Sequence, residues 1–316
     1  MTAQFVDHNG GITTIDAQFI EPGIASIHLI EQDGHVAFVD TGTTHSLPVV
    51  REVMHAKNIS ADRVTYVIVT HVHLDHAGGA GAMMLEFPHA DLVVHPFGAP
   101  HMINPTKLIA GTIQVYGAEK ARQLYGEIVP VDKSRVIIAE DGFELDFCGR
   151  RLRFLDTPGH ARHHFSMLDE QFGNIFTGDT MGISYRAFDS DRGPFLFPTT
   201  SPVQCEPDVL HRSIDRLLQT EPRAMFLTHF GRITPTAKLI DGLHRRLNAM
   251  VDMALGLESQ PDRESRLIHL IGEYLFQEAK RHGSSLSDEQ IRRHLGMDTV
   301  LNAQGLNVWL ERRKRH

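Results

Sequence analysis

Residues 71–76 read HVHLDH, which places three histidines and one aspartate within six positions. The preceding run VTYVIVT, at 64–70, has the apolar and β-branched character of a buried strand. Gly78 and Gly79 follow the cluster and allow the chain to bend sharply. Because one short turn seldom collects so many metal-binding side chains by chance, this pattern predicts a group of metal ligands that begins where a central strand ends.

The spacing within the cluster predicts two groups of ligands. His71 and His73 are two positions apart, so their side chains point to the same side of an extended strand end. Asp75 and His76 lie beyond the turn, where they could face a second metal ion. Imidazole and carboxylate groups suit zinc, and they also suit iron and manganese. The residues alone therefore leave the identity of the metal open.

Three further polar residues follow predicted strands in the same way. They are His160 after a Pro-Gly turn in DTPGHARHH, Asp179 in FTGDT, and His229 in FLTHFG. Together with the first four residues they make five histidines and two aspartates. That number is enough for two metal ions that share a carboxylate.

The remaining sequence divides into a β-rich part and a helical part. Apolar runs predict strands at 26–31, 35–42, 64–70, 90–96, 143–147, 150–160, 163–170, 173–180 and 224–231. Helical spacing predicts helices at 46–58, around 117–128 and at 207–220. After Pro235 the apolar residues recur only at helical spacing, and SDEQ at 287–290 is a capping box. We predict a catalytic domain over 1–235 and a helical C-terminal extension over 236–316.

Composition limits the function classes. The formal charge of −8 argues against a broad nucleic-acid-binding surface. A run of about 18 apolar residues is absent, so we expect no membrane span. Cys148 and Cys205 are the two cysteines, which fits a reducing compartment, and the first residues lack the pattern of a leader. We therefore expect a cytoplasmic protein.

The ordered motifs HxHxDH, GH, GD and TH resemble those of the metallo-β-lactamase fold superfamily, over about residues 26–231. The resemblance implies an α+β fold, in which an αββα sandwich is followed here by the helical extension. It also implies roles for individual residues. His71, His73 and His160 would hold one metal ion; Asp75, His76 and His229 would hold the second; Asp179 would bridge them; and Asp40, in VDTG, would support the ligands.

The resemblance is strongest to the binuclear branch that includes glyoxalase II and the lactonases. It implies a hydrolase in which two divalent ions, zinc first and iron or manganese as alternatives, lower the pKa of a bridging water. The resulting hydroxide would attack an ester-type carbonyl, and Asp75 would also accept its proton. An aspartate at position 179 argues against cleavage of β-lactams. Candidate substrate contacts are Tyr185, Arg186 and His164, and residues 97–126 form a candidate lid.

Two other functions remain open on the sequence. One is a mononuclear iron persulfide dioxygenase, which shares the HxHxDH motif. The other is a non-catalytic, metal-binding regulatory module of the same fold. For the hydrolase we expect a small ester, thioester or lactone as substrate, no nucleic-acid or membrane partner, and a homodimer formed through the C-terminal helices.

Overall fold

The computed structural model describes residues 3–314, apart from the side chain of Val115. The chain forms two compact units, each assembled from separate stretches of sequence. The first comprises Met1–Asp156, His163–Gly178 and Arg223–Arg232, and the second comprises Thr157–Arg162, Asp179–Pro222 and Ile233–His316. The domain boundary predicted at residue 235 stays a prediction.

A seven-stranded sheet lies within the first unit, with its strands in the order of the sequence. These strands are β1 Phe5–His8, β2 Ile12–Asp16, β3 Ser26–Gln32, β4 His35–Val39, β5 Val64–Val69, β6 Asp91–Val94 and β7 Val136–Ile138. β1 to β4 pair antiparallel, whereas β4 to β7 pair parallel. Asp33 and Gly34 join β3 to β4 with φ of 48° and 78°, as a tight hairpin turn requires.

The second sheet has six strands in the order β13-β12-β11-β10-β9-β8. Its strands are β8 Glu144–Phe147, β9 Arg150–Asp156, β10 Phe165–Asp169, β11 Asn174–Ile183, β12 Ala224–His229 and β13 Gly231–Ile233. From β8 to β11 each strand pairs antiparallel with its neighbour. The β-rich stretch predicted between residues 143 and 180 is therefore confirmed.

The two sheets bury one shared hydrophobic core within the first unit. The second sheet contributes a row of aromatic rings, and the first contributes aliphatic side chains: Phe147, Phe154, Phe165, Phe176, Phe226, Ile12, Ile30, Val39, Ile68 and Val93. The described residues of the same unit form six α-helices: α1 Leu47–Ala56, α2 Leu74–Ala77, α3 Ala80–Glu86, α4 Ala99–Ile103, α5 Thr106–Tyr116 and α6 Ala118–Tyr125. The predicted α+β fold is confirmed.

The parallel part of the first sheet brings polar residues to one edge. Asp40 follows β4 and His71 lies two residues beyond the end of β5. Because parallel strands end at the same edge of a sheet, these side chains come together there. β12 ends with His229, whose backbone is also part of the first unit.

The second unit is mainly helical. It contains α7 Pro207–Leu218, α8 Ala237–Gly256, α9 Arg263–His282 and α10 Asp288–Arg313. The capping box predicted at residues 287–290 is confirmed, since the side chains of Ser287 and Gln290 cap each other's backbone. Among the described residues, no helix is long and apolar enough to cross a membrane.

Several elements were not predicted from the sequence, namely β1, β2, β7, β13, α2, α3, α4 and α5. β2 shows why, since all five residues of ITTID are buried and polar side chains occur on both of its faces. Asp16 accepts hydrogen bonds from the backbone of Gln18 and Gly23, at 2.9 and 2.8 Å. Buried polar groups with local partners break the alternation that identifies a strand.

Two glycines of α10 should respond oppositely to alanine. A Cβ at Gly305 would lie 1.5 Å from the carbonyl oxygen of Thr200, whereas a Cβ at Gly296 meets nothing within 4 Å. We expect Gly305→Ala to lower the free energy of unfolding by about 1–3 kcal/mol through overpacking. Gly296→Ala should raise it by up to about 1 kcal/mol, because alanine favours a helix. Urea unfolding of both variants tests this, and equal effects would contradict it.

Candidate metal centre

Asp75, His76 and His229 form a compact group in the first unit, with one ligand atom of each within 4.8 Å of the others. The Nε2 atoms of His76 and His229 are 3.1 Å apart. Oδ2 of Asp75 lies 3.2 Å from Nε2 of His76 and 3.5 Å from Nε2 of His229. Three of the predicted ligands are therefore brought together by α2 and the end of β12.

The tautomer of His229 is fixed by the backbone. Its Nδ1 donates a hydrogen bond to the carbonyl oxygen of Ile24 at 2.8 Å. A neutral imidazole carries one proton, so Nε2 of His229 presents a lone pair toward His76 and Asp75. Metal-bound histidines are usually oriented in this way, by a bond from the other ring nitrogen.

His71 and His73 form a second pair within the same unit. Nε2 of His71 lies 3.1 Å from Nδ1 of His73. Thr70 gives its hydroxyl proton to Asp40, so its oxygen accepts from Nδ1 of His71 at 3.1 Å. Nε2 of His71 is consequently the nitrogen with the lone pair, and it faces His73.

Asp40 organises the strand ends from which the histidines project. It is fully buried with φ of 60°, and it accepts hydrogen bonds from the backbone and hydroxyl of Thr70 at 2.8 and 2.9 Å. The hydroxyl of Thr228 donates to it at 2.8 Å. Burial raises the pKa of Asp40, which the charge of His76 and these hydrogen bonds partly offset. Asp40 thus holds the residues that immediately precede His71 and His229.

His160 and Asp179 lie together in the second unit. Nε2 of His160 is 3.4 Å from Oδ2 of Asp179, and both residues are buried. Nδ1 of His160 donates to the carbonyl oxygen of Thr199 at 3.4 Å. The nitrogen that faces Asp179 is therefore the one with the lone pair.

The donor set fits divalent metal ions of the zinc type. Neighbouring ligands of a tetrahedral zinc ion are about 3.3 Å apart, given bonds of about 2.0–2.1 Å. The His76–His229 and His71–His73 nitrogen pairs, each 3.1 Å apart, match this spacing. Their chemistry is also suitable, because a cation relieves the repulsion between lone pairs that face each other.

Asp75 is ionised in this arrangement. Burial alone would raise its pKa, but His76 and His229, in their protonated forms, hold the pKa of Asp75 well below its usual range. Oδ2 faces both histidines. A carboxylate that stays ionised is suited to binding a metal ion or accepting a proton.

The predicted substrate contacts have partners of their own. The hydroxyl of Tyr185 donates to Asp298 at 3.0 Å, and Arg186 pairs with Asp189 at 3.3 Å. His164 is fully buried, with its ring centroid 4.9 Å from that of His71. The His164 ring fits only because residue 178 is glycine: the Cβ of any other residue at this position would lie 2.4 Å from Nε2 of His164. Their assignment as substrate contacts stays a prediction.

Sequence reasoning missed an aromatic group close to Asp75. Tyr125 of α6 stacks on Phe19 with centroids 5.9 Å apart, and the rings of Tyr125 and Tyr116 are 6.0 Å apart. Burial raises the pKa of both tyrosines, and the charge of Asp75 raises each of them further. These residues are far from the histidines in the sequence, and no local motif marks them.

Comparison with known proteins identifies the family. The profile of the metallo-beta-lactamase superfamily matches residues 20–229. The metallo-beta-lactamase fold-containing protein ST1585 of Sulfurisphaera tokodaii is 27% identical over 235 residues, which are 71% of this chain and 80% of that protein. A hydroxyacylglutathione hydrolase of Cronobacter sakazakii is 29% identical over 115 residues, 36% of this chain and 32% of that protein.

A solved structure agrees on the fold. The crystal structure of ST1585, named there as an archaeal metallo-beta-lactamase superfamily protein from Sulfolobus tokodaii, superimposes with a TM-score of 0.64. The match covers 94% of this chain and 98% of that chain at 23% identity. Since the family profile spans about two thirds of the sequence, the chain belongs to the metallo-beta-lactamase superfamily.

Proposed function

We propose that the protein is a binuclear metal-dependent hydrolase that cleaves an ester-type carbonyl compound, with a thioester or a lactone as substrate. The observation that carries this proposal is the group formed by Asp75, His76 and His229. Its two histidines and ionised carboxylate match the ligands that divalent ions take in hydrolases. Membership in a superfamily of mostly metal-dependent hydrolases supports the same conclusion.

Each predicted ligand is assigned to a metal ion. One ion would be held by Asp75, His76 and His229. The other would be held by His71, His73 and His160, and Asp179 would bind both. The ions would supply Lewis-acid polarisation of the substrate carbonyl and a lowered pKa for a water molecule. Asp40 positions the ligands through Thr70 and Thr228.

Asp75 has a second role, in proton transfer. Its Oδ2 faces the two histidines, which leaves Oδ1 to accept a proton from the attacking water. A carboxylate with a low pKa is ionised at neutral pH and is ready to take up a proton, although only transiently. The proton would then pass to the leaving group.

The tyrosine pair favours an acyl substrate. The side chains of Tyr116 and Tyr125 share a hydrogen bond, and Tyr116 is the more exposed of the two. The hydroxyl of Tyr116 would therefore contact a substrate oxygen, while the rings of Tyr125 and Phe19 offer an apolar wall. The hydroxyacylglutathione hydrolases among the relatives, whose name describes an acyl derivative of glutathione, support this choice.

The test combines metal content with a substrate panel. We expect protein purified without chelator to hold two divalent ions per chain at this centre and to hydrolyse at least one thioester or lactone, with activity lost on metal removal and restored by zinc, iron or manganese. Tyr116→Phe should raise KM more than it lowers kcat. One iron ion per chain, together with oxygen uptake on glutathione persulfide, would overturn the proposal in favour of a dioxygenase.

A further inference from the structure

The second compact unit contains a histidine pair outside the predicted ligand set. The rings of His211 in α7 and His244 in α8 meet edge to edge, with their centroids 4.9 Å apart and an angle of 16° between the planes. Their Nδ1 atoms are 2.6 Å apart. Two ring nitrogens this close must either share a hydrogen-bonding proton or be bound by one metal ion that lies between them.

The partners of the other ring nitrogens show which nitrogen of each ring carries the proton. Nε2 of His211 lies 2.9 Å from Oδ1 of Asn248, and Nε2 of His244 lies 3.2 Å from Oδ1 of Asp215. An oxygen acceptor requires a proton on the nitrogen it faces, so each Nε2 carries the proton of its ring. Both Nδ1 atoms then present lone pairs to each other, and this arrangement is repulsive without a cation.

Charge and burial favour a metal ion over a proton. Asp208 and Asp215 are three positions before and four positions after His211, so they share its face of α7 and add negative charge there. Burial, and next the neighbouring His244, lower the pKa of His211, which disfavours a shared proton at neutral pH. His211 and His244 are also partly exposed, so that an ion and its waters have access.

We propose that His211 and His244 form a separate metal site that joins α7 to α8. Imidazole nitrogens select borderline divalent ions, so the site would take Zn²⁺, Ni²⁺ or Cu²⁺. Asp215 and Asn248 would fix the ligand tautomers, as oxygen acceptors do for metal-bound histidines. Zinc bonds of about 2.0–2.1 Å place neighbouring ligand atoms about 3.3 Å apart, so the two Nδ1 atoms, now 2.6 Å apart, would have to separate by about 0.7 Å.

The first experiment counts zinc ions on the full chain. Zn²⁺ is titrated into metal-free wild type and into His211→Ala, His244→Ala and His244→Gln, the last of which keeps a polar side chain. We expect each variant to bind one zinc ion fewer than wild type. His269→Ala, which removes an exposed histidine of α9, should bind the same number as wild type. Because the ligands of the proposed hydrolytic centre are intact in every variant, this difference does not depend on the proposed function.

The second experiment leaves both ligands in place. Asp215→Asn should weaken zinc binding at this site about tenfold, and Asn248→Asp should strengthen it about tenfold, as is typical for the groups that orient metal-bound histidines. An equal zinc count in wild type, His211→Ala and His244→Gln would overturn the proposal. In that case Asn248 would present its amide nitrogen to His211, and a chain of hydrogen bonds would run from Asn248 through two neutral imidazole rings to the carboxylate of Asp215.

Discussion

His229→Ala is expected to lower kcat/KM for the substrate identified in the panel by more than about 100-fold. Loss of a group that merely orients a ligand costs about 10–100-fold in affinity or activity, so loss of a ligand costs more. Nε2 of His229 is the atom that lies 3.1 Å from His76 and 3.5 Å from Asp75. Its removal leaves that group with two donors, and the chain should bind one metal ion fewer than wild type.

The measurement pairs steady-state kinetics with elemental analysis of the same samples. His89→Ala is the matched control, because it removes an exposed histidine of the same unit. That variant should keep both the rate and the metal content of wild type. If His229→Ala kept the metal content and the rate of wild type, the assignment of His229 as a ligand would be wrong.

Asp169→Ala is expected to lower the free energy of unfolding by about 3–5 kcal/mol, because it leaves a buried cation without its partner. Arg150 and Asp169 are both fully buried, and Nη2 of Arg150 donates to Oδ2 of Asp169 at 2.7 Å. Arg150 keeps the carbonyl oxygen of Gly10, at 2.6 Å, and the ring of Phe172, whose centroid lies 4.7 Å from the guanidinium carbon. Both groups are neutral, so neither balances the charge.

Glu144→Ala provides the contrast for this prediction. Glu144 pairs with Arg151 at 3.8 Å, and their side chains are 51% and 62% exposed. Exposed pairs contribute about 0–1 kcal/mol, so this substitution should change stability little. Chemical denaturation of both variants gives the comparison, and a loss below about 1 kcal/mol in Asp169→Ala would contradict the expected cost of an unpaired buried charge.

A site residue could be predicted from the sequence when the pattern that marks it is local in the chain. HVHLDH is local, so the types and spacing of its ligands indicated metal chemistry directly. His160, Asp179 and His229 were predicted because each follows an apolar run. The structure confirms a strand at each of these runs. Tyr116 and Tyr125 were missed because their closeness to Asp75 depends on how α5 and α6 pack.

The sequence by itself determined the α+β fold, the family and the chemical types of the candidate ligands, because strand periodicity and ligand motifs are short-range patterns. Only the tertiary structure decided the protonation of individual rings. Ile24 fixes the tautomer of His229, and Thr70, itself bound to Asp40, fixes that of His71. Ile24 is far from His229 in the sequence, and Thr70 is oriented by Asp40, which is far from it in the sequence. These hydrogen bonds therefore depend on how the chain folds and not on a local pattern.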